Sequence, residues 1–370
     1  MPRRRSRFSQ VAAWSQDCLL RSRLVVCEKR HSTGSAKHMA QATSLPIIDL
    51  SRLRDGPNAR TRVAAELDAA CSEFGFFYLV GHGVSHHRID SLMSLARRFF
   101  AQPTEDKLAI HMSKGGRAWR GYFQLGEELT SGRPDGKEGI YFGTELEQSH
   151  PRVRAGVPLH GRNLFPSESG LREAVLTYMS DLTHLGHELM SLLASGLGLP
   201  QDFFLDHYTR DPTVLFRIFN YPRTPDIERG WGVGEHTDYG FITLLKQDDV
   251  GGLQVRHGDQ WLEVPDVSDS FVCNVGDMLE RLTRGRYVSA LHRVRSSAVR
   301  DRISMALFFD PSFDAILAPI EGVGPKADAP HTQVRWDDLD PHTAHGNYGE
   351  YLLSKVGRVF PELRQAAIKS

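Results

Sequence analysis

Apolar residues recur at helical spacing in three stretches of the chain. The first stretch covers residues 63–74 and ends at Gly75, the second covers residues 89–99, and the longest covers about 170–195. Apolar positions three and four residues apart form one face of an amphipathic helix. The pattern therefore predicts two helices early in the chain and one long helix near its middle.

The hydrophobic pattern changes to short β-rich runs at about residue 212. Turn-forming residues separate these runs, and two similar segments, LPIIDL (45–50) and FFYLV (76–80), come earlier in the chain. The later runs are VLFRIFNY, FITLLK, GLQVR, WLEV, SFVCNV, YVSALHRV and ISMALFF. Closely spaced short strands after helices predict an α+β fold, in which a double-stranded β-helix (jelly-roll) core is buttressed by N-terminal helices.

The first 44 residues differ in composition from the remainder. They hold nine Lys/Arg and two acidic residues, in a segment that opens with MPRRRSRF. Such a composition resembles an organelle transit peptide, and the alternative is an over-long start, since Met39 opens the stretch MAQATSLPIIDL. We expect residues 1–44 to lie outside the fold under either interpretation.

The charge and cysteine content restrict the partners and the compartment. The 45 basic and 45 acidic residues balance overall, but residues 45–370 hold 36 basic and 43 acidic residues. An acidic body argues against nucleic acid as the main partner. The four cysteines are far apart and no run of apolar residues is long enough to span a membrane. We expect free thiols, a cytoplasmic monomer and no membrane partner, with organelle targeting by residues 1–44 as the alternative.

A candidate metal site lies in the β-rich region. His236 and Asp238 are two residues apart, so a strand would point both side chains the same way, and His292 follows in a later strand. Two histidines and one carboxylate form the facial triad that suits non-haem Fe(II). A second H-x-D sequence, beginning at His257, is predicted to be a hairpin turn because Gly258 and Asp259 favour turns.

Arg302 and Ser304 strengthen the metal hypothesis. They are two residues apart in the last strand-like run, so both are expected to face the interior beside the metal. A guanidinium group presents a planar fork to a carboxylate, and a hydroxyl adds another hydrogen bond. Neither H-x-D nor R-x-S is specific alone, and the specific signal is their order, spacing and placement on strands.

The ordered motifs HTDYGFITLL, GGLQV, GDMLERLT, HRV and RISMALFF resemble the 2-oxoglutarate/Fe(II)-dependent dioxygenases of the isopenicillin N synthase-like family. LPIIDL, FGFFYLVGHGV and RGYF resemble the N-terminal domain that accompanies this core. The resemblance covers roughly residues 45–315. It implies five regions, namely the extension 1–44, an N-terminal dioxygenase region 45–165, a supporting helix 166–210, a jelly-roll core 211–315 and a C-terminal segment 316–370.

The resemblance also implies residue roles. His236, Asp238 and His292 fall on the iron ligands, and Arg302, Ser304 and Tyr221 fall on residues that hold 2-oxoglutarate. Where many relatives have an asparagine that contacts this region, the present chain has Phe219, and Asn220 should point to the other face of its strand. No catalytic residue is predicted beyond the metal centre.

The implied function is an Fe(II)- and 2-oxoglutarate-dependent dioxygenase that oxidises a small molecule with O2, by hydroxylation as the default outcome, and releases succinate and CO2. Two alternatives remain at this stage. One is an oxidase of the same fold that uses O2 without 2-oxoglutarate, with Arg302 and Ser304 holding the substrate. The other is a non-catalytic module that binds small molecules.

Overall fold

The computed structural model describes residues 44–130, 132–167, 170–225, 231–325, 335, 340–343 and 346–361. The prediction for residues 1–44 therefore lies, except for Ser44, outside the described residues. The five predicted region boundaries remain a prediction. None of the described helices is long and apolar enough to cross a membrane.

The helices confirm the three predicted helical patterns and add others. The two early patterns form α1 and α2, and the long central stripe forms α5. The helices are α1 (Ala59–Glu73), α2 (His86–Phe100), α3 (Thr104–Leu108), α4 (Pro151–Arg154), α5 (Leu171–Gly196), α6 (Asp277–Leu282) and α7 (Tyr348–Val359). Helix α7 lies in the C-terminal segment, for which the sequence patterns predicted no element.

The strands include each predicted run and several that the patterns did not reveal. They are β1 (Ile47–Asp49), β2 (Phe76–Val80), β3 (Gly121–Phe123), β4 (Leu129–Thr130), β5 (Arg133–Pro134), β6 (Glu138–Gly143), β7 (Thr213–Tyr221), β8 (Trp231–His236), β9 (Ile242–Gln247), β10 (Leu253–His257), β11 (Gln260–Glu263), β12 (Phe271–Val275), β13 (His292–Arg295) and β14 (Arg302–Asp310).

Two sheets build the core. The larger has the order β1-β2-β12-β9-β14-β7-β6-β3 and the smaller has the order β11-β10-β13-β8. The pairs are antiparallel except for β1 with β2. Side chains of both sheets line one pocket, so the sheets face each other across it, as the predicted jelly roll requires.

Helix α5 supports the larger sheet from outside. Its apolar stripe is buried, and Gly186 lies so close to the Phe309 ring of β14 that a Cβ atom there would come within 2.5 Å of the ring. The absence of a side chain at Gly186 therefore lets the helix approach β14, the strand that carries Arg302 and Ser304. A well-packed outer layer holds such a strand in place.

Residues 111–165, a region rich in glycine and proline, contain strands that the sequence patterns did not predict. Strands β3 and β6 join the larger sheet, and β6 pairs with β7 along residues 138–143. A second difference concerns β8, which the β-rich runs did not include because its sequence WGVGEH is glycine-rich. Gly232 is needed there because a Cβ atom would lie 2.7 Å from the Tyr221 ring.

Candidate active site

His236 and His292 are brought together by direct strand pairing. His236 ends β8 and His292 begins β13, and the two residues are partners in the ladder. Their ring centroids lie 4.1 Å apart. In each ring Nδ1 lies near a backbone carbonyl, 2.8 Å from Gly234 O and 3.2 Å from Ala290 O. A carbonyl accepts the Nδ1 proton, so both Nε2 atoms remain for a metal.

Asp238 completes the cluster from the turn after β8. The strand ends at His236, so Asp238 is not on a strand as predicted, although it lines the same pocket as the histidines. Its Oδ1 lies 3.8 Å from His292 Nε2. Its Oδ2 accepts hydrogen bonds from Thr243 and from Asn274, the latter at 2.7 Å. These bonds leave Oδ1 for a metal.

The three side chains have the geometry that a metal requires, and His236 and Asp238 also have suitable protonation states. One ligand atom from each of His236, Asp238 and His292 lies within 4.8 Å of the others. Burial and the adjacent His292 lower the pKa of His236 to about 3, so its imidazole is neutral at physiological pH. Burial opposes ionisation of Asp238, but the two histidines and the bonds from Asn274 and Thr243 outweigh it and lower its pKa. A neutral imidazole and a carboxylate are competent ligands.

The other H-x-D sequence is the predicted hairpin. His257 pairs with Gln260 at the end of β10 and β11, and the turn between them consists of Gly258 and Asp259. Gly258 has φ +57°, a left-handed conformation that glycine adopts readily. The His257 ring stacks on Phe74, with centroids 4.5 Å apart, away from the metal cluster. The prediction for this motif is confirmed.

Arg302 and Ser304 face the pocket from β14, and Tyr221 is the ladder partner of Arg302 on β7. The Arg302 guanidinium lies 4.7 Å from the centroid of the Tyr221 ring, and its Nη2 donates to Gln247 Oε1 at 3.2 Å. Its Nε and Nη1 are buried without a hydrogen-bond partner. Buried, unpaired guanidinium donors are costly, so these atoms fit an anionic ligand such as a carboxylate.

Asn220 points away from the pocket, as the strand alternation predicted. Its Nδ2 donates to Glu138 Oε1 at 2.9 Å, whereas Phe219 lines the pocket. Glu138 in turn forms an ion pair with Lys107. Asn220 therefore belongs to a buried network behind the sheet and offers no contact to a ligand in the pocket.

The pocket extends from the metal cluster to a second charged group, of which sequence reasoning did not find Glu128 and Arg217. It has about 930 Å³ of empty space, its open mouth included, and its lining includes Glu128, Lys137 and Arg217 from the larger sheet and its connections. Helix α7 adds Leu352 and Val359. A signal for Arg217 existed, because it is four residues before Tyr221 on β7 and therefore faces the same side.

Two family models match the chain. Residues 45–168 match the model described as "non-haem dioxygenase in morphine synthesis N-terminal", and residues 211–311 match the "2OG-Fe(II) oxygenase superfamily".

The chain is similar to proteins of known name and structure. It is 44% identical to a probable iron/ascorbate oxidoreductase of Dictyostelium discoideum, over 86% of this chain and 96% of that protein. It is 36% identical to a homoarginine-6-hydroxylase of Oryza sativa subsp. japonica, over 75% of this chain and 89% of that protein. The crystal structure of a full-length Neurospora crassa protein in complex with alpha-KG has a TM-score of 0.71 at 25% identity, over 85% of this chain and 95% of that chain.

Proposed function

The chain belongs to the 2OG-Fe(II) oxygenase superfamily, and from this premise we propose that His236, Asp238 and His292 hold its Fe(II). The protein is an Fe(II)- and 2-oxoglutarate-dependent dioxygenase that hydroxylates a small-molecule substrate. The observation that supports the ligand assignment is the convergence of the two Nε2 atoms and one Asp238 oxygen.

Arg302, Ser304 and Tyr221 bind the carboxylate of 2-oxoglutarate that lies farther from the metal in this proposal. Support comes from the two unpaired buried nitrogens of Arg302, which is 1% exposed, and from the Tyr221 ring that lies against its guanidinium group. A Cβ atom at Gly232 would lie 2.7 Å from the Tyr221 ring, so the glycine provides the space that this ring occupies. A carboxylate held by a fixed fork sets the orientation of the entire co-substrate.

The chain's own residues position the reaction. Asn274 and Thr243 orient Asp238, and two backbone carbonyls hold the Nδ1 protons of the histidines. Buried side chains from both sheets line the pocket and limit its contact with bulk water. When bound, Fe(II) and 2-oxoglutarate supply the activation of O2 that oxidises a C–H bond, with succinate and CO2 as co-products. The alternatives, an oxidase that needs no 2-oxoglutarate and a non-catalytic module, are not favoured.

We further propose a monomer that acts in the cytoplasm on a free small molecule, without nucleic acid or membrane as a partner. The acidic residues 45–370 support the exclusion of nucleic acid. The two described cysteines, Cys71 and Cys273, are free and buried, which is typical of a reducing compartment. The exposed large apolar side chains among the described residues are scattered, and light scattering tests the monomer directly.

The function is tested by succinate release. Homoarginine is the first substrate to try, because a relative is named for its hydroxylation. With Fe(II), O2 and 2-oxoglutarate, we expect succinate to form and a true substrate to increase its rate. Substrate-dependent O2 uptake that continues without 2-oxoglutarate would instead establish the oxidase.

A further inference from the structure

A second guanidinium group lines the same pocket as Arg302. Arg217 lies on β7, its ladder partner on β14 is Ala306, and its side chain is 12% exposed. The pairs Tyr221 with Arg302 and Arg217 with Ala306 are four residues apart along the two strands. At the usual rise of a β-strand, this separation is about 13 Å. Arg217 therefore lies in a part of the pocket that is well separated from Arg302.

The rings that Arg217 contacts place its guanidinium group away from Arg302. Its Cζ lies 4.2 Å from the centroid of the Tyr141 ring and 4.8 Å from that of Phe308, which is six residues after Arg302 on β14. Both rings offer flat faces to the guanidinium group and no hydrogen-bond acceptor. A five-carbon dicarboxylate anchored at Arg302 does not span the distance to this group.

Arg217 lacks the acceptors that a buried guanidinium group needs. Its Nε is buried without a hydrogen-bond partner, and its nearest carboxylate contact joins Nη1 to Glu128 Oε1 at 3.7 Å, beyond hydrogen-bond distance. Tyr141 donates a hydrogen bond to Glu128 Oε1, and Lys137 Nζ forms an ion pair with Oε2 at 2.8 Å, although Oε2 has no hydrogen-bond partner. Glu128 therefore lies beside Arg217 but accepts no hydrogen bond from it.

The carboxyl groups around Arg217 have other hydrogen-bond partners. Lys137 contacts both Glu128 and Asp135, so one cation already faces two carboxyl groups. Burial, with the adjacent Glu128, raises the pKa of Asp135 although Lys137 opposes the shift. Asp310 also faces the pocket, but its oxygens accept from Phe241 N at 3.2 Å and Tyr348 Oη at 2.6 Å. None of these carboxyl groups accepts a hydrogen bond from Arg217, so the donors of its guanidinium group remain for a ligand.

We propose that the substrate of this enzyme is a carboxylic acid and that Arg217 binds its carboxylate, while its apolar part lies against Phe308, Leu352 and Val359. The inference rests on the proposed function, in which Arg302 is occupied by 2-oxoglutarate. A planar fork with an unpaired Nε suits bidentate recognition of a carboxylate. Arg217 is then a specificity-determining residue that touches the substrate.

Binding of paired probes tests this proposal without knowledge of the natural substrate. The full-length protein is loaded anaerobically with Fe(II) and 2-oxoglutarate and titrated calorimetrically. The probes are L-arginine, L-leucine and phenylacetate, each beside its primary amide. We expect at least one acid to bind and its amide to bind about 30-fold more weakly or worse, because the amide lacks the charge that the fork recognises.

Two variants and a control assign the discrimination to Arg217. Arg217→Met should weaken binding of the acid about 30-fold or more and leave the amide unchanged, and Arg217→Lys should fall between the two. Arg172→Gln is the matched control, since Arg172 also lies over a ring, that of Phe165, but is exposed. It should bind acid and amide as the wild type does.

The outcomes separate this proposal from the function on which it rests. Equal binding of acid and amide, acid binding that survives Arg217→Met, or a wild-type complex that binds none of the three acids would overturn the role of Arg217. A visible Fe(II)–2-oxoglutarate band in Arg217→Met shows that the variant is folded and loaded. Absence of that band from the wild type would instead refute the 2-oxoglutarate site.

Discussion

The strand pair β7–β14 presents two arginines to the pocket, Arg302 at one end of the pair and Arg217 at its middle, and their surroundings are of opposite character. Arg302 lies among neutral groups, with Gln247 and the Tyr221 ring as its contacts. Arg217 lies beside Glu128, which already forms an ion pair with Lys137. Neutral surroundings leave the full charge of Arg302 for an obligatory anionic ligand. The charged groups around Arg217 keep the net charge of that part of the pocket close to zero until a substrate enters.

The metal cluster lines the same pocket and should respond most strongly to substitution. Asp238→Ala is expected to abolish Fe(II) binding and to lower turnover by more than about 100-fold, since changes to residues that only orient a ligand already cost 10- to 100-fold. Fe(II) content after anaerobic titration and succinate release measure the two effects. Asp259→Ala, in the hairpin His257-Gly258-Asp259, is the matched control and should behave as wild type. Full activity of Asp238→Ala would refute the ligand assignment.

Arg302→Leu tests the role of Arg302 separately from that of Arg217. We expect the 2-oxoglutarate concentration for half-saturation to rise by about 30-fold or more, because the charged partner of the carboxylate is lost. Fe(II) binding should persist, as the three ligands are untouched. Arg302→Lys keeps the charge without the fork and should give a smaller increase. An unchanged half-saturation in Arg302→Leu would remove Arg302 from the co-substrate site.

Asn274→Ala should have an intermediate effect. Asn274 donates to Asp238 Oδ2 at 2.7 Å and thereby directs Oδ1 toward the cluster. Removal of this bond is expected to weaken Fe(II) binding by about 10- to 100-fold while the 2-oxoglutarate requirement at saturating Fe(II) stays the same. If the iron affinity does not change, Thr243 alone is sufficient to orient the carboxylate.

Asn220→Ala should have the smallest effect on the pocket. Its side chain bonds Glu138 behind the sheet, although its neighbours Phe219 and Tyr221 line the pocket. The half-saturation for 2-oxoglutarate should therefore stay within about twofold, and the cost should appear as about 1 kcal/mol of unfolding free energy. A large rise in half-saturation with normal stability would place Asn220 in the co-substrate site.

The sequence predicted the metal cluster and Arg302 far better than the surroundings of Arg217. His292 and Arg302 lie on predicted strands, and the two-residue spacings of His236 with Asp238 and of Arg302 with Ser304 indicated which side chains face the same pocket. Asp238 was the exception, because the strand ends at His236 and the turn carries the carboxylate. Strand β8 was missed because its glycines, one of which the Tyr221 ring requires, obscure the alternation.

The surroundings of Arg217 are formed by contacts between segments that are distant in the sequence. Glu128 and Lys137 come from a Gly/Pro-rich region without a readable period, and Leu352 and Val359 come from a helix more than 100 residues further on. No local pattern indicates that these segments meet. Arg217 itself was detectable by its spacing from Tyr221, but its unpaired nitrogen is visible only once the neighbours are in place.

The central claim is that one pocket holds Fe(II) on His236, Asp238 and His292 and 2-oxoglutarate on Arg302. The most direct test adds 2-oxoglutarate to the anaerobic Fe(II)-loaded protein and records the visible spectrum, since chelation of the iron produces a weak charge-transfer band. We predict a band in the wild type and in Asp259→Ala, and its loss in Asp238→Ala and, at the same 2-oxoglutarate concentration, in Arg302→Leu. A wild-type protein that binds iron without the band would contradict the account.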